Sequence, residues 1–149
     1  MRLSMTAEYA IRAMVHLSSH AAKEITHISE ISIKQGIPES ILRKIMGNLV
    51  KLGFVYSLRG KGGGVQLARP GNDITLLDVI EGIEGKIFLN QCLIGPDFCD
   101  RTPYCPIHLV WREAQDKMLN VLSGKTIEQL ATENKKMYKK YLTENIGVS

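Results

Sequence analysis

The segment from Ile28 to Ile45 constrains the fold most, because its small and apolar residues follow the spacing of two closely packed helices. Ser32 is a small residue on the inner face of a first helix, and Gly36, four residues later, accepts positive φ in a turn. Pro38 then suits the start of a second helix. The segment therefore predicts a helix-turn-helix, with an ordinary αα-hairpin as the alternative. The apolar anchors would be Ile28, Ile31, Ile37, Leu42 and Ile45.

The rest of the chain is predicted to be mainly helical, with one small β-hairpin. Apolar spacing predicts a helix over residues 6–19, capped by Ser4 or Thr6. Thr26 or His27 is expected to open the short helix that leads to Gly36. Residues 54–58 and 65–68 favour two strands around the glycine-rich tip 59–64, which predicts a wing.

The C-terminal half is expected to begin after a turn at residues 70–73. Thr75 caps a short helix, a long helix runs from Pro106 to about Ser123, and Thr126 caps a last one. The lysine-rich tail from Glu133 is expected to be loosely ordered. We therefore predict a winged helix-turn-helix domain over 1–70, a cysteine-bearing loop and a long helix over 71–133, and a tail over 134–149.

The charge of the chain is unevenly distributed. Residues 1–70 hold ten Lys and Arg against four Asp and Glu, a net +6, whereas residues 71–149 hold nine against eleven, a net −2. A basic N-terminal half favours contact with a polyanion, although a solvated basic face is the alternative. The side chains that could reach bases or phosphates of double-stranded DNA are Glu39, Ser40, Arg43, Lys44 and Asn48 on the second helix, and Arg59 and Lys61 in the wing.

All three cysteines of the chain, Cys92, Cys99 and Cys105, lie within fourteen residues, and His108 follows three residues later. Three thiolates and one imidazole form a complete ligand set for zinc or an iron–sulfur centre. An odd count argues against a disulfide framework. Cys105 is expected to cap the long helix, where the helix dipole favours a thiolate and His108 can reach back toward the cap.

The remaining histidines, His16, His20 and His27, have no evident partners and are expected to be structural, and Trp111 is expected in the core or an interface. No Ser/His/Asp set, paired carboxylates or phosphate-binding loop is recognisable, so an enzyme is not expected. No apolar run approaches the roughly 18 residues of a membrane span, and the N-terminus lacks a signal-peptide pattern. We expect a cytoplasmic protein without membrane partners.

These motifs together resemble the IscR/NsrR-type family of winged-helix iron–sulfur transcriptional regulators. The resemblance covers residues 1 to about 133. It is carried by MRLS at 1–4, EYA at 8–10, LRGKGGG at 58–64, the three cysteines, and CPIHLVW at 105–111. Arg2 in the first motif joins the DNA-binding candidates.

The resemblance implies a homodimer that binds an operator with dyad symmetry and carries an iron–sulfur cluster sensing redox state, nitric oxide or iron–sulfur status. Residues 71–133 would then supply the cluster-binding loop and the dimerisation helix. The cluster ligands would be Cys92, Cys99, Cys105 and a fourth residue, either His108 or Glu8 of the partner subunit. A two-iron two-sulfur cluster is favoured. A four-iron four-sulfur cluster is the alternative, because six residues separate Cys92 from Cys99, one more than in IscR-type members. The competing function is a cluster-free or zinc-bound regulator that responds to a metabolite or a partner protein.

Overall fold

The computed structural model describes residues 2–147, which form six α-helices and one two-stranded sheet. This mainly α architecture with a small β wing is the predicted winged helix-turn-helix with a long helix after it. The elements are α1 (Met5–Ser18), α2 (Ile28–Gln35), α3 (Glu39–Lys51), β1 (Val55–Leu58), β2 (Gly64–Leu67), α4 (Leu76–Glu84), α5 (Pro106–Ser123) and α6 (Ile127–Ile146).

Local capping explains where several helices begin and end. The Ser4 hydroxyl accepts a hydrogen bond from the Ala7 amide at 3.2 Å, so Ser4 rather than Thr6 caps α1. Thr75 and Thr126 each begin a capping box, at α4 and α6, in which side chain and backbone satisfy each other. Gly36 ends α2 in the left-handed region, with φ +62°.

The turn between α2 and α3 is held by two hydrogen bonds between the same residues. The Ser32 hydroxyl donates to the Ile37 carbonyl at 2.6 Å, and the Ile37 amide donates to the Ser32 carbonyl at 3.0 Å. Ser32 therefore fixes the turn in addition to being small. The residues that bury the two helices against α1 include Ile31, Ile37, Leu42, Ile45 and Leu49.

The wing is an antiparallel hairpin whose register pairs Val55 with Leu67 and Leu58 with Gly64. A Cβ at Gly64 would lie 2.4 Å from the Thr26 carbonyl oxygen, so only glycine fits there. Thr26 exchanges two 2.9 Å backbone hydrogen bonds with Val65. The expectation that Thr26 could open α2 is therefore wrong, because its backbone pairs with the wing, and His27 precedes the helix instead.

The C-terminal helices pack against the first helix. α1 contacts α4 and α6 as well as α2 and α3, and α4 contacts α5. Ile74, Val79 and Ile127 belong to the same buried core as Ala10 and Met14 of α1. The start of α6 is tied to the start of α4 by a backbone hydrogen bond of 2.9 Å from the Ile127 amide to the Ile74 carbonyl.

The expectation of a loosely ordered tail from Glu133 is wrong, because α6 continues to Ile146. Between Glu133 and Ile146 the sequence contains neither glycine nor proline, and its Lys, Glu and Met residues are good helix formers. The Lys135 ammonium also donates to the Ser19 carbonyl at 2.6 Å, which links α6 to the end of α1. Among the described helices, none combines the length and apolar character of a membrane span.

Candidate metal centre and nucleic-acid interface

The three cysteines and His108 line one cavity of about 210 Å³. The loop between α4 and α5 contains three short 3₁₀ turns, Gln91–Leu93, Pro96–Phe98 and Thr102–Tyr104. The sequence prediction that these side chains share a site is consistent with this placement. The other lining residues are Asn90, Gln91, Phe98, Thr102, Ile107 and Trp111.

The cysteine and histidine side chains of this cavity have atoms available to bind a metal. All three cysteines are half-buried and unpaired by disulfides. Cys105 is the N-cap of α5, as expected, but its side chain makes no capping hydrogen bond. The His108 Nδ1 and Thr102 Oγ1 atoms are both buried without a hydrogen-bond partner. A buried polar atom without a hydrogen-bond partner is destabilising, so these two atoms indicate a site that binds a ligand.

The ligand set is chemically suited to a metal centre. The cysteine side chains and His108 line the walls of the same cavity. Thiolates with one imidazole are donors that both iron–sulfur clusters and zinc use. The residues present therefore fit the cofactor implied by the motifs.

The structure positions this cavity at the start of α5. The Leu89 amide donates to the Gln115 side-chain oxygen at 2.9 Å, which fastens the approach to the loop onto the helix. Trp111 lines the cavity and is 38% exposed, so of its two predicted positions the core is wrong and an interface stays a prediction. Any ligand in the cavity would therefore touch α5 directly.

Glu8 lies elsewhere in the same chain. It is exposed in the first turn of α1 and lines a shallow surface pocket with residues 2–5. Arg2 is also exposed there. Within one chain, the structure thus brings His108 but not Glu8 to the cysteines.

Apart from Arg2, the predicted DNA-binding residues lie on α3 and in the wing. Ser40, Arg43, Lys44 and Asn48 are exposed on α3, and Glu39 is half-buried. The Arg43 guanidinium donates to the Glu39 carboxylate at 2.5 Å, one helical turn away. The face therefore combines donors and acceptors, as base recognition requires. Arg59 and Lys61 are exposed in the wing.

A groove of about 380 Å³ joins the recognition helix to the wing. Arg43 and Arg59 both line it, together with the N-terminal end of α2 at residues 27–29. Helix N-termini attract phosphate because their amides and dipole are positive. Two guanidinium groups and a helix N-terminus in one groove can bind a nucleic-acid backbone and adjacent base edges.

The expectation that the histidines have no partners is wrong for two of the three residues, and their structural role stays a prediction. His16 and His20 lie together on α1 and approach Glu30 of α2, and the Gln35 side-chain amide lies 3.1 Å from His16 Nδ1. His16 and His20 are four residues apart, a spacing that places both on one helix face. Glu30 could not have been paired with them from local sequence, because the contact depends on the α1–α2 packing.

Comparisons with known proteins agree with this geometry. The model of the Rrf2 family, described as "Iron-dependent Transcriptional regulator", matches residues 3–133. The chain is similar to IscR from T. potens, with 25% identity and a TM-score of 0.72 over 90% of this chain and 88% of that one.

Two cysteine-regulator structures show the same fold. CymR (YrzC), the global cysteine regulator of B. subtilis, is 24% identical, with a TM-score of 0.70 over 89% of this chain and 98% of that one. The oxidized form of Staphylococcus aureus CymR is 23% identical, with a TM-score of 0.70 over 88% and 96%.

Proposed function

The chain belongs to the Rrf2 family of transcriptional regulators, and on that premise we propose that an iron–sulfur cluster sets its affinity for operator DNA. Members of this family are regulators, not enzymes. The observation that carries the proposal is the cavity at the start of α5, where three free thiols and an unsatisfied imidazole nitrogen meet. The family's iron-dependent description and the similarity to IscR support it.

Cys92, Cys99, Cys105 and His108 would hold the cluster. When bound, a two-iron two-sulfur cluster supplies a centre that reacts with oxidants and nitric oxide and that depends on iron supply. The unsatisfied Nδ1 of His108 favours this residue over Glu8 of the partner subunit as the fourth ligand. A regulator with free thiols belongs in the cytoplasm, where thiols stay reduced.

The DNA-binding face is proposed to be α3 with the wing. Arg43 would contact a base edge from the major groove, and Arg59 and Lys61 would contact phosphates beside it. Arg2, Glu39, Ser40 and Lys44 would complete the surface. The basic N-terminal half, with its net +6, would attract the DNA toward this face.

A second copy of the chain is proposed to cover α5. No residue of α5 is buried in the single chain, and Ile107, Val110 and Val121 expose 59%, 63% and 68% of their surface on one stripe. An apolar stripe on a long helix is typical of an interface. A symmetric pair of winged domains would then read an operator with dyad symmetry.

The coupling from cavity to DNA would run through packed helices. Binding by Cys92, Cys99 and Cys105 would tie the 3₁₀-turn loop to the first turn of α5, and α5 packs on α4, which packs on α1 of the winged domain. A change in the loop would therefore alter how the two winged domains are spaced. Half-sites about one helical turn apart tolerate little change in that spacing.

Anaerobic purification tests whether the cavity holds a cluster. The protein should be brown, absorb visible light and contain about two irons and two sulfides per chain. Cys99→Ser should remove the colour, because it removes a ligand, whereas Phe98→Leu, at a neighbouring residue of the same cavity, should keep it. A colourless protein that contains zinc would support the zinc-bound alternative, and a metal-free protein would support a cluster-free regulator.

A further inference from the structure

A second group of metal-ligating side chains lies between α1 and α2, on the winged domain. The ligand atoms of His16, His20 and Glu30 all lie within 4.8 Å of one another. His16 Nε2 is 3.8 Å and His20 Nε2 is 3.6 Å from the same Glu30 oxygen, Oε1. Among the described residues, no other group of three histidine, cysteine or acidic side chains brings its ligand atoms this close together.

The distances are close to those of a metal site. Zinc–nitrogen and zinc–oxygen bonds of about 2.0–2.1 Å in a tetrahedron place ligand atoms roughly 3.3 Å apart. A shift of a few tenths of an ångström would bring the Glu30 oxygen and the His20 nitrogen to that separation. The two imidazole rings, with centroids 4.8 Å apart, are tilted by 51°, so they are not stacked face to face.

A hydrogen bond at Nδ1 leaves Nε2 of the His20 ring available to bind a cation. His20 Nδ1 lies 2.9 Å from the His16 carbonyl oxygen, which can only accept, so Nδ1 carries the proton and Nε2 keeps its lone pair. A backbone carbonyl on the far nitrogen is the usual second contact of a metal-binding histidine. The free Nε2 is the atom that approaches Glu30.

The His16 ring is buried and has an unsatisfied nitrogen. Its side chain is 7% exposed, and Nε2 is buried without a hydrogen-bond partner. Gln35 contacts the other nitrogen, Nδ1, at 3.1 Å. If the Gln35 amide turns its oxygen toward Nδ1, that nitrogen carries the proton, and Nε2 keeps a lone pair that can bind a cation held beside Glu30.

We propose that His16, His20 and Glu30 form a second metal site, for a divalent transition ion such as Zn²⁺. Two imidazoles and one carboxylate are a common donor set for zinc, with water as the fourth ligand. The ion would join α1 to α2, the first helix of the helix-turn-helix. This site shares no residue with the cysteine cavity and does not depend on the proposed cluster.

Lys34 provides a specific test, because it competes for the carboxylate. Its ammonium lies 3.0 Å from Glu30 Oε1, the same oxygen that faces both histidines, and its side chain is 58% exposed. A bound cation would be repelled by this charge. Lys34→Gln should therefore tighten binding of Zn²⁺, an effect that a purely structural His–Glu cluster would not show.

The experiment uses the full chain with Cys92, Cys99 and Cys105 replaced by serine, so that thiols do not bind the probe. Isothermal titration with Zn²⁺ alone should show about one ion per chain. His20→Gln and Glu30→Gln each remove a proposed ligand. Each should weaken Zn²⁺ binding by at least about 10- to 100-fold, which is the effect of losing a residue that only supports a ligand. His27→Gln, at an exposed histidine before α2, should leave binding unchanged.

Zn²⁺ should also raise the melting temperature of the serine variant, but not that of the variant carrying His20→Gln in addition. A wild-type chain with alkylated cysteines repeats the titration if the serine variant does not fold. The proposal is overturned if Zn²⁺ does not bind, or if His20→Gln and Glu30→Gln bind it as tightly as their parent. It is also overturned if Lys34→Gln fails to tighten binding.

Discussion

His108 and Glu8 differ in how the fold places them. His108 lines the same cavity as the cysteines, with its Nδ1 buried and unsatisfied, whereas Glu8 is exposed near the N-terminus. An unsatisfied buried nitrogen is destabilising unless a ligand meets it. The geometry within one chain therefore favours His108.

Substitution of each residue tests the fourth ligand. His108→Ala should lower the iron and sulfide content or shift the visible spectrum of the anaerobic protein, because one ligand is lost. Glu8→Gln should leave both measurements unchanged, since its side chain remains exposed and similar in size. The assignment is wrong if Glu8→Gln loses the cluster and His108→Ala retains it.

Arg43 and Arg59 are expected to make different contacts with DNA, Arg43 with a base edge and Arg59 with phosphates. Arg43→Ala should weaken binding by about 1–3 kcal/mol and relax the preference for one base pair. Arg59→Ala should weaken all sequences alike and reduce the slope of log affinity against log salt by about 1.

Fluorescence anisotropy over a range of salt concentrations measures both effects. Lys125→Ala is the control, because this exposed lysine lies at the α5–α6 turn and pairs with Glu133. Unchanged affinity and slope for Arg59→Ala would remove the wing from the DNA-binding surface.

Helix ends were the most predictable elements, because their signals are local. Gly36, Thr75 and Thr126 each satisfy or terminate backbone groups within a few residues, so sequence alone identified them, and Ser4 was one of two predicted caps for α1. Pairings between distant segments were not predictable. Thr26 with Val65, and the two histidines with Glu30, depend on how α1, α2 and the wing pack.

The α5 element carries the proposed dimer interface. Val110→Asp should shift the protein from dimer to monomer in sedimentation velocity, because a charge would be buried against an apolar partner surface. Asp116→Asn, at an exposed position on the opposite side of α5, should remain dimeric. A Val110→Asp protein that stays dimeric would place the interface elsewhere.

At the scale of the whole molecule, the sequence predicts two candidate surfaces but not how the fold connects them. Charge and motif spacing separate a basic N-terminal half from a cysteine-bearing C-terminal half. In the fold, α1 of the first half is packed against α4 and α6 of the second, and the lysine-rich end of the chain is helical. This packing is the physical route by which the cavity could influence the wings.

The affinity for operator DNA with and without the cluster tests the central claim most directly. A duplex selected from a random pool by the anaerobic protein serves as the probe, and anisotropy at one fixed salt concentration gives the Kd. The cluster-bound protein and the chelator-treated, cluster-free protein should differ at least about tenfold in Kd, or roughly 1.4 kcal/mol. Equal Kd values for the two forms would contradict the account.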